Sequence, residues 1–261
     1  MKISNKAIIV LLGSTAFLTI LGLWYGVTAT KLVKPFFLPG PLSVFRTIYQ
    51  LFTTEHFLTD VIISGFRITL GFAIASALAV PLGMAIGLNK TAQRATEPLI
   101  DFIRYTPVPA FIPLFILWFG IGETEKIMVI ATSVFFQLVL MVANSVSQTP
   151  RELIDSARTL GANPWQVVRK VIFQMGKPRI YDDMRVSIGW AWAVLMMAEL
   201  VGSTSGIGFV IIQAQRLLRT PIVISAIIVT GTIGLGLDII LKRMYLVYFP
   251  WAKKIEHDPE S

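Results

Sequence analysis

The sequence predicts an all-α fold, a polytopic membrane helix bundle of about six transmembrane helices that forms one domain over residues 1–261. Of the 261 residues, 54% are hydrophobic and only 15% are charged, whereas about 25% of the residues in a soluble domain are charged. A soluble fold of this composition would expose much apolar surface to water, so we expect a membrane protein. The chain has no cysteine, which excludes disulfides and thiolate metal sites.

Six apolar stretches are long enough to cross a membrane, because a bilayer core of about 30 Å needs roughly 20 apolar residues in a helix. The first stretch is too long for the apolar part of a signal peptide, which has about 7–15 residues, so we expect it to be retained. The fifth stretch is short and is followed by glycines. In chain order, the predicted spans are residues 7–29, 68–88, 102–121, 127–146, 186–201 and 222–241.

Lysine and arginine are concentrated on one side of these six spans. The two chain ends and the segments 89–104 and 148–185 together hold 16 of them, and the opposite side holds 7. Positive residues are enriched in cytoplasmic segments, so we expect both termini in the cytoplasm. The net charge of +8 is then a consequence of topology, and it predicts no nucleic-acid partner.

The segment between the first two spans contains Leu-Pro-Gly-Pro at residues 38–41, which predicts a turn that stops a helix. Residues 42–52 then form either a short amphipathic helix near the membrane surface or a simple connector. Within the second span, Gly83 and Gly87 are four residues apart. Small residues at this spacing let two helices approach closely, so we expect them to serve helix packing.

Proline is concentrated at the start of the third span, at Pro107, Pro109 and Pro113. Each proline removes a backbone donor and clashes with the preceding helical turn. Backbone groups freed in this way must be satisfied by protein or water at membrane depth. We therefore expect either irregular backbone, buried or lining a cavity, or a simple kink.

Two carboxylates lie within the apolar segments, where an ionisable side chain is costly and indicates function by default. Asp238 has a partner of opposite charge on its own helix face, because Lys242 follows four residues later. Glu199 has no such neighbour in the sequence. We expect Glu199 either to line a transport pathway or to lie near the outer interface.

A helix with polar residues is predicted after the fifth span, over residues 209–219, and it is either interfacial or re-entrant. Gln213 and Arg216 would place polarity and positive charge near the outer mouth, where an anionic solute would arrive. The alternative is a solvated connector. The candidate pathway residues are therefore Glu199, Gln213 and Arg216.

The longest polar stretch of the chain, residues 151–185, lies within the cytoplasmic segment 148–185. Thr149 precedes a proline and is followed three residues later by Glu152, a pattern typical of a capping box at the start of a helix. Gly161 then permits a sharp turn. The pattern predicts two short helices that meet at an elbow.

The second helix of this elbow should begin at Asn163 and Pro164. Trp165 and Val168 lie three residues apart on it and would form an apolar ridge. An exposed apolar ridge is a docking surface more often than a chance feature. We therefore expect the elbow to bind another protein in the cytoplasm.

The sequence contains no motif for covalent chemistry. It has no phosphate-binding loop of the form GxxxxGK[ST], no HExxH and no GxSxG. Its two histidines, His56 and His257, lie far apart in the sequence. We expect no catalytic residue, metal or cofactor in this chain, so the energy for uphill transport must come from a partner or an ion gradient.

The elbow resembles the cytoplasmic loop of ABC-importer permeases of the binding-protein-dependent type. That family carries Glu-Ala-Ala, then three residues and Gly, then nine residues and Ile-x-Leu-Pro. Here Asp155, Ser156 and Ala157 stand at the Glu-Ala-Ala positions. Gly161 keeps the family's spacing, and Gln174 stands where proline is usual.

Longer stretches outside the elbow motif are similar to the nitrate/sulfonate/taurine/bicarbonate branch of this family. The resemblance implies a type I ABC-importer permease-like fold in the cell inner membrane. It also implies that the solute is a small anion such as a sulfonate (taurine), nitrate or bicarbonate. The similar stretches are residues 38–41, 67–87, 107–123, 158–171 and 185–220.

The resemblance also implies partners. A second permease copy would complete the path through the membrane lipid. Cytoplasmic ABC ATPase subunits would bind ATP and Mg, and a periplasmic or lipid-anchored binding protein would deliver the solute. The residues implied in ATPase coupling are Asp155, Ala157, Leu160, Gly161, Ala162, Asn163, Pro164 and Trp165.

The alternative is a stand-alone secondary carrier or channel for a small ion. Such a protein would need a coupling-ion residue within its spans. Glu199 is the only good candidate for that role in the sequence.

Overall fold

A computed structural model describes residues 5–251, with side chains from residue 14 onward. This part of the chain is built from α-helices and contains no strand. The two chain ends, which the sequence predicts to be cytoplasmic, lie outside it. The helices are α1 (Asn5–Ala29), α2 (Pro41–Thr53), α3 (Phe57–Gly87), α4 (Lys90–Tyr105), α5 (Val108–Phe119), α6 (Glu123–Ser147), α7 (Arg151–Thr159), α8 (Pro164–Gln166), a π-helical segment (Val167–Ile172), α9 (Phe173–Glu199), α10 (Ile207–Arg216) and α11 (Thr220–Tyr248).

Helices α3 and α6 pack closely along an extensive contact, and this packing depends on glycine. A Cβ atom added at Gly83 would lie 2.7 Å from the Val139 carbonyl oxygen, and one added at Gly87 would lie 2.5 Å from the Ala143 carbonyl oxygen. Both distances are shorter than a van der Waals contact, so only glycine fits. The packing role predicted for this pair is confirmed. The core of the bundle is built around this contact and around the inner faces of α5, α9 and α11.

Within the described residues, α3, α6 and α11 are each long and apolar enough to cross a membrane. A fourth span results if α4 and α5 are counted together. Helix α1 is apolar over Ser14–Ala29, and α9 is polar in its first half and apolar in its second. The number of six spans therefore stays a prediction.

The predicted third span, residues 102–121, is not one continuous helix. Helix α4 ends at Tyr105, and α5 begins at Val108 after a bend of 88°. Thr106 is extended because the following residue, Pro107, disfavours helical backbone before it and has no N–H to donate. The irregular backbone predicted at the proline-rich start is confirmed, and the break is larger than the simple kink that was the alternative.

The predicted amphipathic segment near the outer surface is a helix, α2. Val44 and Leu51 on its inner face are buried, whereas Leu42, Phe45 and Tyr49 are exposed. The turn before α2 is held to α1, because the Trp24 indole donates a hydrogen bond of 3.0 Å to the Pro39 carbonyl. The inner face of α2 packs mainly on α11. This arrangement places α2 beside the first turns of α11, where the Ser225 hydroxyl donates to the Val44 carbonyl.

Candidate functional site

The elbow predicted in the cytoplasmic segment is present, but its helices differ from the prediction. The first helix, α7, is short. The second is the start of a helical run that continues from Pro164 to Glu199 through α8, the π-helical segment and α9. Pro178 lies inside α9 without ending it. The elbow is therefore joined without a break to a helix that enters the bundle.

The helix caps of the elbow also differ from the prediction. Thr149 does not cap α7, because its hydroxyl donates to the Val146 carbonyl at 2.9 Å, and the predicted capping box with Glu152 is wrong. A capping box is instead present at the start of α8. The Asn163 side chain accepts from the Gln166 N–H at 2.8 Å, and the Gln166 side chain accepts from the Asn163 N–H at 2.9 Å.

Gly161 forms the turn of the elbow in a left-handed backbone conformation, with φ of +83°. No atom lies within 4 Å of the position that its Cβ would occupy. Glycine is favoured here by backbone conformation and not by lack of space. The turn is closed by hydrogen bonds from the Gly161 N–H to the Arg158 carbonyl at 2.9 Å and from the Ala162 N–H to the Ala157 carbonyl at 3.0 Å.

The apolar surface of the elbow is formed by Leu160 and Trp165, whose exposed fractions are 87% and 69%. Val168 is half-buried against the core, so the predicted ridge of Trp165 and Val168 is wrong in its second member. The opposite side of α7 packs inward through Ile154 and Ala157. The elbow thus presents two large apolar side chains outward on a support that is fixed to the bundle.

The remaining residues implied in coupling lie around this surface. Asp155, Gly161, Asn163 and Pro164 are exposed, and Ala162 is half-buried. Asp155 approaches Arg158 at 4.0 Å on the solvent side of α7, and an exposed pair at that distance contributes little to stability. The structure brings all eight residues to one end of the bundle, within a single turn and its flanking helices.

A second cluster lies at the other end of the bundle, around Arg67. Helix α3 begins at Phe57, so Arg67 lies about three turns inside it and is only 1% exposed. All five N–H donors of an arginine are used. Nε and Nη2 donate to the two Glu123 oxygens, Nη1 donates to Glu199 Oε1 at 2.7 Å, and Nη1 and Nη2 donate to Ser205.

Glu199 is fully buried in this cluster and connects three segments. One oxygen accepts from Arg67 and from the Ser64 hydroxyl at 2.7 Å. The other accepts from the Gly208 N–H at 2.8 Å. A carboxylate without countercharge in this position would be very costly, so Arg67 and Glu199 require each other.

The start of α10 is capped by side chains from other helices. The Gly206 N–H donates to Asp60 Oδ1 at 2.6 Å, and the Ile207 N–H donates to the Ser64 hydroxyl at 2.9 Å. Together with the Gly208 bond to Glu199, these contacts satisfy three N–H groups that a helix start leaves unpaired. Side chains of α3 and α9 therefore determine where α10 begins.

The three candidate pathway residues lie in two places. Glu199 is enclosed in the Arg67 cluster and lies beneath the start of α10. Gln213 is exposed and lines a cavity of about 240 Å³, and Arg216 is exposed in the last turn of the same helix. The structure brings Gln213 and Arg216 together on α10, and it places Glu199 behind that helix.

The partners of Glu199 were not identified from the sequence. Arg67 precedes the predicted second span by one residue, and in the sequence it is one of the seven lysines and arginines on the side opposite the predicted cytoplasm. No local sequence pattern marks Ser64, Asp60 or Glu123 as members of this cluster, because their contacts join residues more than 50 positions apart. The signal that could have found them is the buried carboxylate itself, which requires a buried cation.

The ion pair predicted between Asp238 and Lys242 is not formed. Asp238 instead accepts a hydrogen bond of 2.8 Å from Arg185 Nε on α9, and Arg185 also contacts Asp182 at 2.8 Å. The carboxylate therefore ties α11 to the middle of α9. In the described part of the chain, no group of three or more His, Cys, Asp or Glu residues could hold a metal ion.

Comparison with known proteins agrees with this architecture. Residues 79–245 match the family described as "Binding-protein-dependent transport system inner membrane component". The taurine transport system permease protein of Escherichia coli is 30% identical over 257 residues, which cover 97% of this chain and 93% of that protein. The bicarbonate transport system permease protein of Synechococcus elongatus is 30% identical over 240 residues, which cover 87% of this chain and 84% of that protein.

A solved structure has the same fold. The inward-facing MetNI methionine ABC transporter contains a chain that matches with a TM-score of 0.66 and 18% identity, over 73% of this chain and 94% of that chain. The fold and the sequence relatives lead to one conclusion. The chain belongs to the family of binding-protein-dependent transport system inner membrane components, and it is a transport subunit, the permease of an ABC importer, and not an enzyme.

Proposed function

We propose that this permease forms half of the path by which a small anion of the sulfonate, nitrate or bicarbonate class is imported, and that a second copy of the same chain forms the other half. The substrate class is supported by the relatives, which are named for taurine and bicarbonate transport. An ATPase subunit and a solute-binding protein are the partners that family membership implies.

In this proposal, the elbow transmits motion of the ATPase to the bundle. The observation that carries it is the exposure of Leu160 and Trp165 on a support continuous with α9. Large apolar side chains that remain exposed on a polar segment are typical of docking surfaces. Asp155, Ala157, Ala162, Asn163 and Pro164 would shape the same contact around Gly161. ATP and Mg would bind to the partner, and both termini would lie in the cytoplasm.

The pathway in this proposal is bordered by α10, which contributes Gln213 and Arg216. Glu199 would support the pathway without lining it. Its bonds to Arg67 and to the Gly208 N–H hold the start of α10 in place. A stand-alone carrier would need Glu199 free to exchange a coupling ion. The closed ion pair with Arg67 and the family membership argue against that alternative.

The test of coupling is substitution of the two exposed side chains. We expect Leu160→Ala with Trp165→Ala to insert normally, because neither side chain is buried. The ATPase should co-purify with this double variant at less than a tenth of the normal yield, since loss of one docking hot spot costs about 2 kcal/mol or more and every ~1.4 kcal/mol is tenfold in affinity. The measurement is quantitative mass spectrometry of the tagged chain purified from its native host.

The matched control is Leu32→Ala, because Leu32 is 78% exposed and lies on the opposite side of the predicted membrane. This variant should retain the ATPase. Normal ATPase recovery with the double variant would contradict the coupling role of the elbow. Absence of any ATPase from the unmodified chain would contradict the proposed function itself.

A further inference from the structure

We infer that the outer ends of α2, α10 and α11 form a binding site for a small zwitterion, a molecule that carries an ammonium group and a sulfonate group on a short chain. The inference rests on the proposed function and narrows its solute class. It places on the permease itself a site that distinguishes an aminosulfonate from a simple anion.

The site consists of two cavities of about 240 and 290 Å³. Both are lined by Leu51, Glu55, Arg219 and Ile222, so they adjoin. Asp60 and Gln213 line the first cavity only, beside apolar side chains of α10. The volumes suit a ligand of a few heavy atoms, because sites for larger ligands have about 300–1,000 Å³.

The charged residues of the site are of opposite sign and are not paired with each other. Neither the Glu55 nor the Arg219 side chain forms an ion pair or a hydrogen bond with any other described residue. Asp60 contributes a second carboxylate, one oxygen of which accepts the Gly206 N–H. A free cation and a free anion thus border the same pair of cavities, and both remain available to a ligand.

The backbone beside both charged residues is in an uncommon conformation. His56 and Leu218 have φ of +52° and +56°, in the left-handed region that non-glycine residues rarely adopt. His56 follows Glu55, and Leu218 precedes Arg219. Such strain persists where the surrounding structure enforces it, and it is concentrated at binding sites. Here it fixes the direction of the chain next to the two charged residues that line both cavities.

The chemistry of the lining selects the ligand. A guanidinium group matches the oxygens of a sulfonate or carboxylate through parallel hydrogen bonds. A simple anion would be attracted by Arg219 but repelled by Glu55 and Asp60. A simple cation would be attracted by Glu55 and Asp60 but repelled by Arg219. Only a ligand with both charges is attracted by both ends of the site. The apolar side chains between them suit a short hydrocarbon linker.

The experiment measures binding of three probes to the full-length chain in lipid nanodiscs by saturation-transfer NMR. The probes are taurine, ethanesulfonate, which lacks the ammonium group, and ethylamine, which lacks the sulfonate. We expect taurine to bind at least about tenfold more tightly than either of the others, a difference of ~1.4 kcal/mol. Equal binding of ethanesulfonate and taurine would overturn the inference.

Two variants separate the two charges. Arg219→Gln should weaken taurine binding about tenfold. Glu55→Gln should weaken taurine binding and strengthen ethanesulfonate binding, and a gain in binding cannot result from misfolding. The matched control, Arg46→Gln, removes an exposed arginine of α2 that does not line either cavity, and it should have no effect. Equal losses in Arg46→Gln and Arg219→Gln would also overturn the inference.

Failure of this inference and failure of the proposed function are distinguishable. Co-purification of the ATPase reports on the elbow at the opposite end of the bundle, and it should be the same for Arg219→Gln and the unmodified chain. A chain that recovers its ATPase but binds no taurine retains the proposed function and refutes the zwitterion site.

Discussion

Arg67 shows how a single buried side chain determines the arrangement of several segments. Its guanidinium bonds to residues of α6, α9 and the loop before α10. One partner, Glu199, is completely buried, whereas the Glu123 side chain is 53% exposed. The bond between Arg67 and Glu199 is therefore the more costly one to break. Without the guanidinium, the buried Glu199 carboxylate would have neither water nor a countercharge to stabilise it.

We predict that Arg67→Met destabilises the protein by about 3–5 kcal/mol, the cost of removing one partner from a buried pair. The measurement is thermal unfolding of the purified variant in detergent. The control is a double-mutant cycle with Glu199→Gln, since removal of both charges should be less harmful than removal of Arg67 alone. Additive effects of the two substitutions would show that the pair is not coupled.

Among the elements, the pair α3 and α6 shows how glycine sets the distance between helices. The carbonyl of Ala143 occupies the space that a side chain at position 87 would need. The elbow shows the second use of glycine, because Gly161 has open space around it and is required only for its positive φ. Sequence patterns identified both positions, and the structure separates their physical reasons.

We predict that Gly87→Ala destabilises the bundle by about 1–3 kcal/mol, since overpacking forces the two helices apart. The matched control is Gly65→Ala in the same helix, where no atom lies within 4 Å of the new Cβ. That substitution should be neutral or stabilising by about 0.5–1 kcal/mol, because alanine favours helix. Both values can be read from denaturant unfolding followed by circular dichroism. Equal destabilisation by both substitutions would contradict the packing argument.

At the scale of the whole molecule, the two clusters lie at opposite ends of the bundle. The Arg67 cluster and the zwitterion cavities lie at the end of α9 that precedes α10, and the elbow lies at the other end of α9. Helix α9 connects them directly, and the contact between Arg185 and Asp238 ties it to α11. The excess of lysine and arginine around the elbow predicts that this end is cytoplasmic.

This topology predicts the result of cysteine labelling, for which the natural absence of cysteine provides a clean background. We expect Ser43→Cys in α2 to react with a membrane-impermeant maleimide in spheroplasts. Ser156→Cys in α7 and Ser261→Cys at the C-terminus should react only after lysis. Both Ser43 and Ser156 are exposed, so burial does not limit the reaction. Labelling of Ser156→Cys in intact spheroplasts would reverse the proposed orientation.

Local patterns in the sequence are sufficient to predict the features that depend on composition and on neighbours within one helix. These features are the apolar helices, the glycine spacing at Gly83 and Gly87, the turn at Gly161 and the helix start at Asn163. Each follows from residues a few positions apart, whose geometry is the same in any fold that contains the helix. The proline-rich break before α5 can also be predicted from local sequence. Its angle of 88° cannot.

Which charges pair with each other depends on the tertiary structure. Glu199 pairs with Arg67, which lies 132 residues earlier in the chain, and Asp238 pairs with Arg185 instead of its helical neighbour Lys242. The start of α10 is capped from α3 and α9. Burial makes an unpaired charge costly, so a buried charge requires a partner. The identity of that partner cannot be read from burial, because it depends on which helices pack side by side. That information belongs to the folded bundle and not to any local pattern.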